Sequence, residues 1–523
     1  MRNNIFSKTR ASVKWVLPFF FLALLPFVAS CDDWLDVRSE NTSKEQDQFD
    51  VEKGFKTALT GVYMQLASTS IYGQNLTMTS IECLADLWYN SASFESQAPS
   101  KYYFSTHDYT YSGVQNTISS IYAGLYKTIA ATNVLIKDIE TNGNNITSKQ
   151  LRDIIEGEAY AIRAYCHLDA LRLFGQLPQG AMQTVKLPYS YTTSIAEMPT
   201  YYGFNEFVAN LTADIQKAES LLKESDPIFD NTFAALDRPG NSVLDDFTYY
   251  RHSRLNYWAV RALHARMALY MGNTSEAHSI AMEIINAKGA DGEALITLSG
   301  PTDLAQGFNG LPSECLFYLS KFDLNDYANT ALLGGLTSAS ASNSTYFISL
   351  DQLNDLYQSI PGSTASHNRY NNWWNRNMRD NSNVTRPSLK KYWYDSNAST
   401  SSLASSEANT LMTKRQIIPM LRLSEMYLIA IETSTDLTEV QTLYDTYMTS
   451  CEYTLYTPFE TLAEARAEMV NEYRREFFGE GQMFFTYKRL GASSMLWNTT
   501  PIKEADYIIP LPTTEYDPAI TQK

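Results

Sequence analysis

Residues 151–178 read LRDIIEGEAYAIRAYCHLDALRLFGQLP, and this segment decides the fold. Its apolar residues recur every three or four positions, a spacing that predicts a helix over 151–174. Gly175 and Pro178 follow and end the helix. Small residues recur between Ala159 and Leu173, so one face of this helix can pack closely against a neighbouring helix.

A second segment shows the same design more clearly. Helices are predicted over 256–271 and 275–287, and the three-residue link between them allows only an antiparallel helix pair. The pair carries a face of small residues, formed by Ala259, Ala262, Ala265, Ala268, Ala277 and Ala281. Small residues packed against large ones across such a pair resemble a tetratricopeptide hairpin.

Further apolar repeats extend the helical pattern. A first helix is predicted from Phe55, Leu59, Val62, Tyr63 and Leu66. Similar spacing predicts helices over 118–139 and 205–222, and another hairpin from 421–431 and 437–448. We therefore predict a mainly α fold, a scaffold of tetratricopeptide-like helix pairs with few short strands. An ordinary helical bundle is the alternative.

Composition divides the chain into parts of different character. Residues 291–414 contain runs of Ser, Asn, Thr and Ala that are typical of loops. The sequence predicts a helical core over about 49–290 and 415–490, interrupted by this long, loop-rich insertion. We expect residues 49–523 to form a single domain.

The amino terminus has the composition of a bacterial export signal. Residues 1–30 combine four basic residues with an apolar run that is shorter than the about 20 apolar residues of a membrane span. Small residues then lead to Cys31, as in a lipoprotein signal whose cysteine is acylated. We predict a lipoprotein signal peptide over 1–30, lipidation of Cys31 and a lipidated tether over 31–48. The alternative is an ordinary secretory signal with an incidental cysteine.

The net charge argues against a nucleic-acid partner. The chain carries −16 at pH 7, and removal of residues 1–30, which contain basic but no acidic residues, makes the mature chain −20. An acidic surface repels phosphate backbones, so we predict no nucleic-acid binding.

The sequence lacks a recognisable constellation of reactive residues. The four cysteines after Cys31 are scattered and include no CxxC, so neither a disulfide framework nor a zinc site is predicted. The six histidines lack metal-ligand spacing, and the common hydrolase and phosphate-binding motifs are missing. We predict no catalytic residue, no metal and no cofactor. The 57 acidic residues leave a glycosidase with two converging carboxylates as an alternative.

Two aromatic clusters are candidates for a sugar-binding surface. The first comprises Tyr370, Asn372, Trp373, Trp374 and Arg376, and the second comprises Asp86, Trp88 and Tyr89. Aromatic rings pack on the apolar face of a sugar, while amides and charges bind its hydroxyls. Burial of these rings in the core is the alternative interpretation.

Five segments together resemble the SusD/RagB family of outer-membrane nutrient-binding lipoproteins. In chain order they are CDDWLD at 31–36, EGEAYAIRAY to LFGQLP at 156–178, PMLRLSEMYLIAIE at 419–432, VNEYRREFFGEG at 470–481 and IPLPTTE at 509–515. They extend over essentially the whole mature chain. After Gly481 this chain departs from the family pattern of Arg followed by Asp-Leu. The motifs look structural, with Arg422 and Glu425, or Arg475 and Glu480, expected to tie packed helices together.

The resemblance implies a lipid-anchored protein that faces the extracellular side of the outer membrane. It would capture glycans, or sometimes peptides, and deliver them to a SusC-type TonB-dependent transporter. The acidic charge favours a neutral or cationic ligand, unless a local basic patch such as Arg369, Arg376 and Arg379 overrides the average.

Overall fold

The computed structural model describes residues 48–180, 186–194, 196–237, 245–337, 345–358, 367–395 and 414–516. The predicted signal peptide, Cys31 and all of the tether before residue 48 lie outside the described residues. Contacts divide the chain after Asp50, and the elements below belong to the unit that begins at Val51. Among the described helices, none is long and apolar enough to cross a bilayer.

Helices form most of the structure. In chain order they are α1 Glu52–Leu66, α2 Ser80–Leu84, α3 Phe94–Gln97, α4 Pro99–Ser105, α5 Ser112–Asn142, α6 Lys149–Phe174, α7 Phe204–Ser225, α8 Phe233–Leu236, α9 Tyr257–Tyr270, α10 Thr274–Ile285, α11 Gly300–Ala305, α12 Leu324–Thr330, α13 Leu350–Gln358, α14 Asn368–Asn372, α15 Leu423–Thr433, α16 Leu437–Ser450, α17 Leu462–Glu476 and α18 Met483–Leu490.

The strands are short and pair only in twos. They are β1 Leu187–Pro188, β2 Tyr201–Tyr202, β3 Cys315–Ser320, β4 Trp374–Asn375, β5 Ser388–Leu389 and β6 Ile417–Arg422. All three pairs are antiparallel: β1 with β2, β3 with β6, and β4 with β5. The β3–β6 ribbon joins the insertion to the carboxyl-terminal helices, with Cys315 opposite Arg422.

The predicted mainly helical fold is confirmed. The helix predicted over 151–174 is α6, and the antiparallel pair predicted over 256–287 is α9 and α10. The hairpin predicted to start at residue 421 begins two residues later, because Leu421 and Arg422 pair with β3 and belong to β6. Within the insertion, helices α11 to α14 and strands β3 to β5 alternate with loops.

The helices pack in a continuous row. Helix α1 packs on α5, α5 on α6, α6 on α7, α7 on α9, and α9 on α10. Helix α10 then packs on α15, which also contacts α16 and α17. A row in which each helix contacts mainly its neighbours is the arrangement that stacked helix pairs produce.

A capping residue stabilises the start of helix α6, and a small residue allows it to pack closely on α7. The Ser148 hydroxyl accepts the Leu151 N–H at 3.3 Å, which satisfies one free donor of the first turn. At Gly157 a Cβ atom would lie 2.8 Å from Cγ of Leu222 on α7. Gly157 therefore permits the close approach of α6 and α7, which pack against each other.

A buried group of charges joins the insertion to the last helices. We call it the Arg422 cluster, and its members are Glu314, Arg369, Lys391, Arg422, Glu476 and Glu480. Arg422 Nη1 lies 2.7 Å from Glu314 and 2.5 Å from Glu476. Its Nη2 lies 2.8 Å from Glu480. Three cations thus balance three carboxylates in the interior, as buried charges require.

The pairing differs from the ties expected from the sequence. Arg422 does not pair with Glu425; the Glu425 carboxylate instead lies 2.7 Å from Arg266 of α9. Arg475 pairs with Glu472 at 2.8 Å, while Glu480 binds Arg422. The prediction was wrong in its partners: Arg422 and Glu425 pair with residues of separate elements, whereas Arg475 pairs within α17.

The remaining cations of the Arg422 cluster come from the insertion. Arg369 lies 3.2 Å from Glu476, and Lys391 lies 2.7 Å from Glu480. Burial opposes ionisation of Glu476, but the neighbouring guanidinium and ammonium groups outweigh it and hold its pKa below the usual range. Because Arg369 is fully buried, it contributes nothing to the exposed basic patch that the sequence suggested.

The glycines of the 470–481 motif serve a turn after α17. The Glu82 carboxylate accepts the N–H of Gly479 at 3.0 Å and that of Gly481 at 2.8 Å. Both glycines have positive φ, 80° and 74°, where a side chain would be strained. Burial raises the pKa of Glu82 to about 8. This motif is therefore structural, as the sequence indicated.

We predict that Arg422→Met lowers the free energy of unfolding by about 3–5 kcal/mol, because it leaves buried carboxylates without their cation. Urea unfolding followed by circular dichroism measures the change. The matched control is Arg466→Met, an exposed arginine on α17, which should change stability by less than about 0.5 kcal/mol. Equal effects of the two substitutions would contradict a structural role for the cluster.

Candidate ligand-binding site

A cavity of about 460 Å³ opens between α4 and α12. We call it the Lys101 cavity, and it is lined by Gln74, Ala98, Pro99, Ser100, Lys101, Tyr327, Thr330, Ala331 and Tyr346. Pro99 is the first residue of α4, a position where its missing N–H costs no hydrogen bond. Tyr327 and Thr330 lie one turn apart on α12 and so share the face towards the cavity.

Lys101 supplies the positive charge of the cavity. Its side chain is only 7% exposed, and Nζ donates to the Thr345 carbonyl oxygen at 2.5 Å. Nζ also lies 4.6 Å from the centre of the Tyr346 ring and 4.9 Å from that of Phe94. Burial lowers the pKa of Lys101 to about 8, so the ammonium is still mostly protonated at neutral pH.

Two tyrosines supply the rings of the cavity. Tyr327 and Tyr346 are both half-buried, and burial raises the pKa of each well above its ordinary value. Both phenols are therefore neutral hydrogen-bond donors at physiological pH. The Tyr327 hydroxyl is buried and has no hydrogen-bond partner. Behind Tyr346 lies Trp88, with 5.7 Å between ring centres.

The groups around the Lys101 cavity suit binding better than bond cleavage. Rings, one amide, hydroxyls and one ammonium can bind the faces and hydroxyls of a sugar. Hydrolysis of a glycosidic bond needs two carboxyl groups, and no carboxylate is among the described residues that line this cavity. Across the described ranges, no group of three or more His, Cys, Asp or Glu side chains could hold a metal ion.

The structure places the predicted tryptophans in the core. Trp373 is 1% exposed and donates through Nε1 to the Asn309 carbonyl oxygen at 2.8 Å. Lys391 and Arg369 approach its ring to 3.8 and 5.3 Å, so cations of the Arg422 cluster already occupy the positions a ligand would take. Trp374 is 3% exposed. Both rings are thus buried in this structure, which is the alternative interpretation that the sequence left open.

Trp88 is buried in the same way, at 1% exposure, with Nε1 donating to the Met78 carbonyl oxygen at 2.9 Å. The two predicted clusters meet at Phe478, whose ring centre lies 5.0 Å from Trp88 and 4.8 Å from Trp374. The sequence thus identified residues that converge in space. They converge behind the Lys101 cavity, where Trp88 supports Tyr346, and do not line it.

The other residues of the first predicted cluster are partly accessible. Tyr370 is 8% exposed and packs edge to face on Tyr357, with 5.1 Å between ring centres. Arg376 is exposed, and its guanidinium lies 4.6 Å from the centre of the Tyr370 ring. Asn372 is half-buried and donates to the Asn368 carbonyl oxygen at 2.9 Å. None of the three lines the Lys101 cavity.

The remaining members of the second cluster, Tyr89 and Asp86, are not among the residues that line the cavity. Tyr89 is half-buried, its N–H donates to the Phe347 carbonyl oxygen at 2.9 Å, and its ring stacks on Phe347 with 5.6 Å between centres. Asp86 is 7% exposed, and burial raises its pKa to about 7 against the opposing hydrogen bond from Ser105. Asp86 therefore has little surface to offer a ligand.

Sequence reasoning missed the residues that form the Lys101 cavity. Lys101 stands directly before the tyrosines Tyr102 and Tyr103, and Tyr346 directly follows the Ser- and Ala-rich run of the insertion. An aromatic residue at the edge of a loop was the available signal for Tyr346. No local pattern marks Lys101, because the residues that complete its environment, such as Thr345 and Tyr346, lie more than 200 positions away.

A second cavity of about 310 Å³ lies beside α8. It is lined by Thr232, Phe233, Ala234, Asp237, His252, Gly289, Asp291, Ala294, Leu295, Ile296, Thr297, Ser313 and Lys414. Lys414 lies 3.4 Å from Asp237, so the cation here already has an anion. Its one aromatic ring besides the imidazole, Phe233, stacks on His252 with 3.8 Å between centres. The Lys101 cavity is the better candidate because two tyrosine rings line it beside an ammonium whose hydrogen-bond acceptor is a neutral carbonyl oxygen.

The comparisons with known proteins agree with this architecture. A family model described as SusD-like, starch-binding associating with outer membrane, matches residues 33–232. A SusD-superfamily structure from Bacteroides thetaiotaomicron is 20% identical, with a TM-score of 0.63, and the alignment covers 90% of this chain and 98% of that chain. No curated protein matches the sequence.

Two further solved structures have names that state a ligand. A laminarin-binding SusD-like protein is 15% identical, with a TM-score of 0.58, covering 89% of this chain and 97% of that chain. Surface glycan-binding protein A from Bacteroides uniformis is also 15% identical, with a TM-score of 0.63, covering 89% of this chain and 98% of that chain. At these identities the likeness establishes the fold.

A SusD-like family model thus matches residues 33–232, and the helical row with its insertion shares its fold with SusD-superfamily structures over most of the chain.

We predict that Trp373→Ala destabilises the protein by about 3–5 kcal/mol, since it empties a buried indole site. Arg376→Ala, three residues away and exposed, should change stability by less than about 0.5 kcal/mol. Urea unfolding of both variants distinguishes the packing role from the ligand platform. A stable Trp373→Ala protein that had lost only ligand binding would restore the sequence-based interpretation.

Proposed function

We propose that this protein captures oligosaccharides in the Lys101 cavity and delivers them to a SusC-type TonB-dependent transporter in the outer membrane. The observation that carries the proposal is the lining of the cavity, where two half-buried tyrosine rings adjoin amide, hydroxyl and ammonium groups. Rings can stack on the C–H face of a pyranose, and the polar groups can bind its hydroxyls.

The family comparisons support a carbohydrate as the ligand. The matching family is described as starch-binding, one similar structure binds laminarin, and another is a surface glycan-binding protein. These are three different descriptions of glycan recognition on one fold. They favour a glycan over a peptide as the cargo, without fixing which glycan this chain takes.

The proposed mode of action is capture without chemical change. The lining of the Lys101 cavity provides groups that bind hydroxyls, and its described part provides no pair of carboxyl groups for acid and base catalysis. A ligand held in this way remains intact for transfer. The transporter would then supply the energy for import.

The proposed location is the extracellular face of the outer membrane. The family description includes association with the outer membrane. Residues 1–30 and Cys31 have the pattern of a lipoprotein signal, and several acyl chains on one cysteine would hold the protein stably at the membrane.

We predict that the soluble form starting at Asp32 is retarded in native gels that contain its glycan. Tyr346→Ala should weaken that binding about ten-fold, because an aromatic contact is worth on the order of 1–1.5 kcal/mol. The panel includes laminarin, starch, xylan, polygalacturonate, alginate and chondroitin sulfate.

The matched control is Tyr456→Ala, a half-buried tyrosine outside the cavity that packs on Tyr444. It should leave retardation unchanged. Absence of retardation by every polysaccharide would contradict the glycan proposal and shift weight to a peptide cargo.

The transporter partnership has its own test. The full chain carrying an affinity tag at its carboxyl end should co-purify from detergent-solubilised outer membranes with a large TonB-dependent barrel. Cys31→Ala should abolish co-purification from membranes by removing the anchor, while glycan retardation of the soluble protein persists. Recovery of the tagged protein alone would contradict the partnership and leave glycan binding intact.

A further inference from the structure

The Lys101 cavity has the opposite charge to the molecule as a whole. The chain carries a net charge of −16. Lys101 is nevertheless the single charged side chain among the described residues that line the cavity. A ligand that enters therefore meets a local positive charge within an acidic protein.

The ammonium of Lys101 lacks a carboxylate partner. Its hydrogen-bond acceptor is the neutral carbonyl of Thr345, and no carboxylate among the described residues lies within ion-pair distance of Nζ. Phe94 and Tyr346 contribute only the faces of their rings. Other buried cations of the described structure, such as Lys391 and Arg251, are paired with carboxylates. Buried Lys488 also lacks a carboxylate, but its Nζ donates to three carbonyl oxygens, whereas Nζ of Lys101 donates to one.

The titratable groups around Lys101 are neutral at physiological pH. Cys83 of α2 has a pKa that burial raises to about 12, and burial also raises the pKa values of Tyr327 and Tyr346. Arg386 also contacts the Phe347 ring, but it lies 3.0 Å from Asp380, and these two charges form an ion pair with each other. None of these groups offsets the charge of Lys101.

A buried ammonium without an anion is energetically costly, and a ligand anion beside it removes part of that cost. A neutral sugar gains only a hydrogen bond from the same group. We propose that the Lys101 cavity selects an acidic sugar residue, whose carboxylate or sulfate group binds Lys101 while its ring contacts Tyr346. This inference rests on the proposed function and names the class of glycan.

The volume of the cavity is sufficient for an acidic sugar residue. A volume of about 460 Å³ is within the range of small-molecule sites. The ring of Tyr327 lines the cavity beside Tyr346, and its buried hydroxyl has no hydrogen-bond partner within the protein. Gln74, Ser100 and Thr330 remain for the sugar hydroxyls.

The first arm of the test compares glycans at pH 7. Native gels with polygalacturonate and alginate probe carboxylates, gels with chondroitin sulfate and dextran sulfate probe sulfates, and gels with laminarin and starch probe neutral chains. Lys101→Met should weaken binding of the acidic glycan at least ten-fold, whereas Lys101→Arg, which retains the charge, should keep most of it.

The second arm varies the pH and uses the unsubstituted protein, so it remains valid even if the Lys101→Met variant does not fold. With a pKa of about 8, Lys101 falls from about nine-tenths protonated at pH 7 to about one-tenth at pH 9. Binding of the acidic oligosaccharide by the unsubstituted protein should therefore weaken about ten-fold over this range, while the Lys101→Arg protein stays nearly constant. Carboxylates and sulfates of the glycan remain ionised throughout.

The outcomes separate this inference from the proposed function. Retardation by carboxylated or sulfated glycans, lost in Lys101→Met and at pH 9, supports it and tells which anion is recognised. Retardation by neutral glycans alone overturns the inference and leaves the proposed function standing. Acidic-glycan binding that is unchanged in Lys101→Met and between pH 7 and pH 9 also overturns it. Failure of all glycans to retard the protein overturns both.

Discussion

The Arg422 cluster is the constraint on which the rest of the structure depends. Arg422 ends β6, Glu314 precedes β3, and Glu476 ends α17, so one guanidinium fixes three elements that are far apart in sequence. Buried charges tolerate little displacement, because each lost partner leaves an unpaired ion in the interior. The insertion is bound to the same point through Arg369 and Lys391. The cluster therefore sets the position of the insertion against the helical row.

This constraint explains why the aromatic cluster around Trp373 is buried. Arg369 reaches into the Arg422 cluster from α14, and the residues that follow it are drawn inward with it. Trp373 then lies between Arg369 and Lys391, and Trp374 meets Phe478. A run that looks like an exposed loop in the sequence is thus part of the core. The Lys101 cavity is formed by other segments, which contribute no residue to the Arg422 cluster.

Local sequence patterns predicted the helices, but they did not predict contacts between residues that lie far apart in the sequence. The helices α6, α9 and α10 follow from apolar periodicity and short links, which act over a few residues. The partners of Arg422, and the meeting of Trp88 with Phe478, join residues up to several hundred positions apart. The Lys101 cavity belongs to this second kind, since its chemistry arises only when α4 meets α12 and Tyr346. A single sequence does not indicate which distant residues come into contact.

The burial of the tryptophans has a consequence for spectroscopy. Trp88, Trp373 and Trp374 are buried, and none of them lines the Lys101 cavity. Their fluorescence emission therefore reports the integrity of the core, with a red shift on unfolding. Trp88 is the exception in one respect, because its ring touches the back of Tyr346. A sugar that contacts Tyr346 would therefore change the emission of Trp88 through this one ring contact, and the fluorescence of Trp88 would report whether the Lys101 cavity is occupied.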